Sequence, residues 1–163
     1  MTGRILHLAA YIDYSKAFDV VCHNKLLHKL AAYGIAGNLL SWIGNFLWGR
    51  SQVTRIGRSY SDIAYLSSGV VQGSYIGPLL FLIYVNDVTD ALSDSCMCKL
   101  YADNLKLYTV IRTIDDCQNL QKCLDMLYDW SRTWQLTISY KKCSFMVAGC
   151  QLSKILVSLL TTA

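Results

Sequence analysis

The chain has 163 residues, 53% hydrophobic and 16% charged, which excludes a disordered polymer and allows one domain with a sizeable core. Its net charge of +4 permits a nucleic-acid partner without demanding one, and a mean hydropathy of +0.30 is high for a free-standing soluble domain. Seven cysteines with no Cys-x-x-Cys pair fit neither a disulfide framework nor a zinc site, and point to free buried thiols in a reducing, intracellular setting.

The first predicted element is a strand, ILHLAAYID, ending at Asp13. The segment before it lacks a small-residue cleavage site, so no signal peptide is expected. Helices follow at about Asn24–Ala32, with Leu26, Leu27 and Leu30 at helical spacing, and at about Asn38–Trp48, separated by YGIAG. SQVTRIG and SDIAYLSS read as strands turning through RSYS. A long helix is predicted from about Tyr75 to Leu92; its apolar run, PLLFLIYV, is too short to cross a bilayer, and no membrane span is expected. The hairpin CKLYADNLKLYTV comes next. A helix at about Ile114–Trp134 then carries Leu120, Leu124, Leu127 and Tyr128 on one face, and short strands at LTIS and SFMVA complete the pattern. Helices inserted into a mainly antiparallel sheet make an α+β domain. No repeat, low-complexity tract or linker divides it.

Four segments have the residue types of a reactive site. In YIDYSKAFDVV, a carboxylate at a strand end, Asp13, can ligate a hard cation or cap the following helix, and the residues alone leave these readings level. For Asp19 the cap is favoured. In SSGVVQGSYIGPLL, three glycines and Gln72 precede an apolar helix. Glycines admit a ligand close to the backbone and a helix start favours phosphate, although a plain glycine loop reads the same way. In KLYADNLKLYT, Asp103 and Asn104 are the turn of an ordinary hairpin or the tip of a metal site. Near WQLTISYKKC, a lysine of the Lys141–Lys142 turn can face solvent, protonate a leaving group or contact phosphate.

In this order and spacing, IDYSKAFD, SSGVVQGSYIGPLLFLIYVNDV, KLYADNLKLY and W…LTISYKKC resemble the reverse transcriptase domain of non-LTR retrotransposons of the jockey and CR1-like kind. The resemblance runs from about Ala9 to Gly149, and SKAFD, LLHKL, YGI and GPLLFLIYVND belong to it. It implies a right-hand polymerase palm with part of the fingers, an antiparallel sheet packed on helices. The implied chemistry is DNA synthesis from a DNA primer on an RNA or DNA template, using deoxynucleotide triphosphates and two Mg²⁺ ions, with Mn²⁺ as a substitute. Asp13 and Asp103 match the metal-binding aspartates. Asn104 stands at the second hairpin position and Lys142 matches the lysine near the leaving pyrophosphate. Phe18 matches the aromatic residue beneath the sugar, and Tyr14, Gln72, Gly73 and Tyr101 match nucleotide- and template-contacting positions.

The departures are as informative. The family reads Asp-Asp where this chain has Asp103-Asn104, which lowers the carboxylate count from three to two. Its GVPQGS appears as GVVQGS, with Val71 in place of a rigid proline, and Ser139 replaces an asparagine before the lysine motif. Residues 1–163 are expected to be a single partial domain of a larger retrotransposon polyprotein, without upstream finger motifs, thumb or endonuclease. Two readings of function follow: a polymerase palm, or the inactive remnant of a degraded element.

Overall fold

Residues 6–92 and 96–148 are described by a computed structural model. Strand β1, Leu6–Ile12, lies inside a four-stranded sheet because it has two partners. It pairs antiparallel with β7, Asn104–Ile111, from Leu6↔Ile111 to Ile12↔Leu105, and on its other side with β8, Ser144–Ala148. Strand β6, Met97–Tyr101, joins β7 through a two-residue turn, giving the order β6-β7-β1-β8. Period-2 alternation sends Leu8, Ala10 and Ile12 of β1 and Leu105 and Leu107 of β7 into the core.

Helices cover that inner face. Helix α1, His23–Ala32, buries Leu26 and Leu30; α2 spans Gly37–Leu47. Helix α3 runs from Gly77 to Val85 and begins with Pro78 in its first turn, where a missing N–H breaks no helical bond. Helix α5, Ile114–Thr133, opens with a capping box. Thr113 Oγ1 accepts from the Asp116 N–H, while Asp116 Oδ2 accepts from the N–H groups of Arg112 and Thr113, each at 2.8 Å. Its buried face is Cys117, Leu120, Cys123, Leu127 and Trp130; Tyr128, expected among them, is exposed. The α+β architecture is the one expected. Among the described residues no helix is long and apolar enough to cross a membrane.

Three expected elements differ. The helix expected over 75–92 divides into α3 and a short α4, Val88–Ala91, with Asn86 and Asp87 between. The break places Asp87 against α1 and α5. Lys29, 4% exposed, donates to Asp87 Oδ1 and to the Tyr84 carbonyl, each at 2.5 Å, and lies 3.5 Å from the Trp134 ring centroid. Asp87 Oδ1 also accepts from Trp130 Nε1 at 3.1 Å. The two strands expected over 51–68 are four short ones: β2 (Ser51–Gln52), β3 (Arg55–Ile56), β4 (Ser59–Tyr60) and β5 (Ala64–Tyr65). Two residues, 53–54, oppose three, 61–63, and the unequal count interrupts the ladder as a bulge does. LTIS contributes only the bridge Tyr14↔Ile138. No disulfide joins the six described cysteines; Cys150 lies outside the described residues.

Candidate active site

Asp13 follows the last residue of β1, and the Ile12↔Leu105 register brings it level with Asn104, at the entrance to β7. The hairpin turn Ala102-Asp103 therefore sits beside the end of β1. Ala102 has φ +52°, a left-handed conformation that costs a residue with a Cβ about 1–2 kcal/mol. The flanking Tyr101↔Asn104 pairing holds this strained turn, whose tip presents Asp103. Asn104 Nδ2 donates to Asp103 Oδ1 at 3.4 Å, a long bond.

The lysine turn reaches the same place by backbone docking. Ser139 N–H donates to the Asp13 carbonyl and Ser15 N–H to the Thr137 carbonyl, each at 2.8 Å. The turn closes through Lys142 N–H to the Ser139 carbonyl at 2.9 Å, and Lys142 Nζ then meets Asp13 Oδ1 at 3.2 Å. With the lysine side chain 60% exposed, this ion pair contributes about 0–1 kcal/mol, so it positions charge more than it stabilises the fold.

The glycine loop is fastened to the segment after Asp13. Val70 N–H donates to the Phe18 carbonyl and Gly69 N–H to the Val21 carbonyl, each at 2.8 Å. Gly69 has φ +93°, and a Cβ there would sit 2.8 Å from the Asp19 carbonyl oxygen, so both conformation and space require glycine. Gln72 Nε2 donates to Asp19 Oδ1 at 2.9 Å. Asp19 is thus not a helix cap: the residue at the α1 N-cap is Cys22, with no side-chain cap bond, and the Asp19 carboxylate holds Gln72 instead. His23, 4% exposed, meets the Gly69 carbonyl through Nε2 at 2.7 Å and anchors the loop from below. Sequence reasoning did not single out His23; its place three residues before the Leu26/Leu30 stripe marks it as inward-facing.

The other expected contact residues divide. Phe18 is half-buried and stacks on Phe81, with centroids 4.1 Å apart. Gln72, Gly73 and Tyr101 are exposed, Tyr101 at 84%. Tyr14, expected at a contacting position, is instead 1% exposed and packs toward Trp130 at 6.3 Å, in the core. Two steps beyond Ile12, it continues the inward alternation of β1. Burial raises its hydroxyl pKa well above the usual tyrosine range.

As donors, Asp13, Asp103 and the Asn104 amide oxygen are the hard oxygens that a divalent cation of the Mg²⁺ kind accepts. They fit such an ion in kind while supplying two charges. Among the described residues no cluster of three His, Cys, Asp or Glu side chains is assembled.

An antiparallel sheet with helices on one face, a strand-end aspartate and a neighbouring Tyr-Ala-Asp turn define a polymerase-palm type of domain. The reverse transcriptase (RNA-dependent DNA polymerase) family matches residues 6–156, and the chain belongs to that family. Divalent-metal use is general in it. Relatives include the RNA-directed DNA polymerases from mobile element jockey of Drosophila funebris, 29% identical over 143 residues and 83% of this chain, and of Drosophila melanogaster, 29% identical over 151 residues and 88% of this chain. The Pol polyprotein from the type-1 retrotransposable element R2 of Popillia japonica is 27% identical over 85% of this chain and 24% of its own length. The chain spans 16% of the length of the two jockey relatives. An apo telomerase from Candida tropicalis, truncated from its C-terminal domain, shares the fold: TM-score 0.69 and 12% identity, covering 91% of this chain and 32% of that one. The expected non-LTR, jockey-like kinship is met.

Proposed function

We propose that this chain is the palm, with part of the fingers, of an RNA-directed DNA polymerase carried in a larger retrotransposon polyprotein, the palm covering about residues 9–149. The observation that carries this reading is the β1–β7 register, which sets Asp13 beside the Ala102-Asp103 turn, with Lys142 Nζ 3.2 Å from Asp13. Its partners are an RNA or DNA template, a DNA primer and deoxynucleotide triphosphates.

Asp13 and Asp103 would hold Mg²⁺, with Asn104 as a neutral third donor. Held there, the ions would supply positive charge to the oxygens of the phosphoryl transfer. Lys142, exposed and hinged on the Ser139 turn, exchanges its bond to Asp13 for the triphosphate and supplies positive charge to the leaving pyrophosphate. Phe18, fixed from behind by Phe81, excludes a 2′-hydroxyl from the sugar position. Gln72, held by Asp19, and the open backbone at Gly73 contact nucleotide and template, with Tyr101 at the hairpin edge.

Asn104 favours a second reading, an inactive remnant. An amide carries no charge, and Mg²⁺ sheds water reluctantly without anionic ligands. The test grafts residues 6–148 into a complete relative and follows primer extension over a Mg²⁺ titration. The Asn104 form is expected to be slower than its Asn104→Asp counterpart by about tenfold, or about 1.4 kcal/mol of barrier, with partial rescue by Mn²⁺. No extension by either form rejects the polymerase reading, and equal rates at limiting Mg²⁺ remove the case for a remnant.

A further inference from the structure

The helices cover one face of the sheet. On the other face, alternation gathers His7 and Tyr11 of β1, Lys106 and Tyr108 of β7, and Lys99 and Tyr101 of β6. The register sets Lys99 directly opposite Lys106. Like charges facing each other across an antiparallel pair destabilise it. Among the described residues neither lysine has a carboxylate partner; the ion pairs there are Lys29–Asp87 and Lys142–Asp13. Their ammonium groups lie instead over tyrosine rings. Lys106 Nζ is 5.1 Å from the Tyr11 centroid and 5.6 Å from that of Tyr108, and Lys99 Nζ is 6.0 Å from Tyr108. A groove on this face is lined by Lys106, Tyr108, Met97 and Met146 among others. Among the described residues, the face bears carboxylates only at one end, where Asp13 and Asp103 stand.

Two adjacent cations with no counter-charge among the described residues call for an anion between them. The lysine pair lies two residues along the strands from the Asp13/Asn104 row, a distance of about 7 Å. An anion bound at both positions at once must therefore run along the sheet, and flat tyrosine rings beside the lysines suit sugars and bases. We propose that Lys99 and Lys106 clamp a backbone phosphate of the nucleic-acid strand whose end is presented to Asp13 and Asp103. This rests on the polymerase reading and adds a strand-binding site to it. The lysines bind and orient; they take no part in the chemistry.

The test is fluorescence anisotropy of the chain with a labelled primer–template duplex over a salt series. Lys99→Gln/Lys106→Gln is expected to lower affinity at low salt by about tenfold or more, and to flatten the slope of log K against log salt by about 1–2. Arg55→Gln/Arg58→Gln removes the same charge from the exposed β3–β4 hairpin and is expected to change affinity less than about threefold. Replacing successive primer phosphates by neutral methylphosphonates should expose one linkage whose loss matters in the unmodified chain and not in the lysine variant, a non-additivity that marks direct contact. Urea denaturation checks that the variant is folded, and relief of the lysine–lysine repulsion should leave it no less stable. Absence of binding by the unmodified chain, equal loss in the arginine variant, or a scan without a sensitive linkage each overturns the clamp. The polymerase reading stands or falls separately on primer extension. A clamp found in the chain while the graft extends nothing keeps the phosphate site and rejects the catalytic role.

Discussion

Asp87→Ala is expected to be among the most damaging single substitutions in the chain. It strands Lys29, 4% exposed, without its carboxylate, and takes from the Trp130 indole N–H its acceptor. Removing one partner of a buried pair costs about 3–5 kcal/mol, against a total stability of about 5–15 kcal/mol. With a urea m-value of about 1–3 kcal/mol/M, the midpoint should fall by about 1–5 M at unchanged m. The reverse change is milder. In Lys29→Met the Asp87 carboxylate, its side chain 32% exposed, keeps Trp130 and meets water, and methionine fills the lysine stem's volume, so a cost below about 2 kcal/mol is expected. Lys29→Met/Asp87→Ala should then be more stable than Asp87→Ala alone. Burial already lowers the Lys29 pKa, with Asp87 opposing it. Without Asp87 the folded-state pKa drops further, the unfolded chain binds the extra proton, and the variant's deficit should shrink as pH rises toward about 10.4, the ordinary lysine value. Urea curves of the four forms at neutral and alkaline pH measure all of this. Equal losses below about 1 kcal/mol for both single variants would mean that the pair behaves as a solvated surface bridge.

Gly69→Ala should destabilise by about 2 kcal/mol or more and loosen Gln72 from Asp19, because the new Cβ meets the Asp19 backbone at 2.8 Å in a left-handed conformation; thermal melts and limited proteolysis of the loop read both effects. Thr113→Ala should cost about 1 kcal/mol through the lost α5 cap. The bonds from Arg112 and Thr113 hold the Asp116 pKa below its ordinary value, so its stabilisation is present at neutral pH and is lost as pH falls through the acid range. An Asp116→Asn variant should show a shallower acid limb in a pH series of urea midpoints. At the other extreme, burial raises the Tyr84 pKa to about 12. Its contribution is complete below about 10 and is lost as pH climbs through 12, so Tyr84→Phe should flatten the alkaline fall in stability.

Much of this was legible where a period was strong. ILHLAAYID alternates and forms β1, and the Leu120/Leu127 spacing belongs to α5. PLLFLIYV is apolar on every side, so no periodicity marks where α3 ends; the stop at Asn86–Asp87 coincides with a contact between Asp87 and Lys29, 58 residues apart. The Asp13 and Asp103 motifs were legible as a pair, but the meeting of Lys142 with Asp13, 129 residues apart, depends on Ser139 docking to the Asp13 carbonyl. The resemblance counts Tyr14 among the contacting positions, although the alternation that turns Ile12 inward does the same to Tyr14.

The position of β1 has a consequence for synthesis on the ribosome. Ile12 pairs with Leu105 and Leu6 with Ile111, so β1 waits 93 to 105 residues for its first partner. Its second arrives later still, since Tyr11 pairs with Ser144 and His7 with Ala148. At about 5–20 residues per second, a strand with both edges open is carried for roughly 5–20 s before β7 is made. In that interval its Leu-Ala-Ala-Tyr-Ile run is a template for pairing with another chain. A nascent chain that stops before β7 never closes that edge, so premature termination yields aggregates in place of a smaller folded domain.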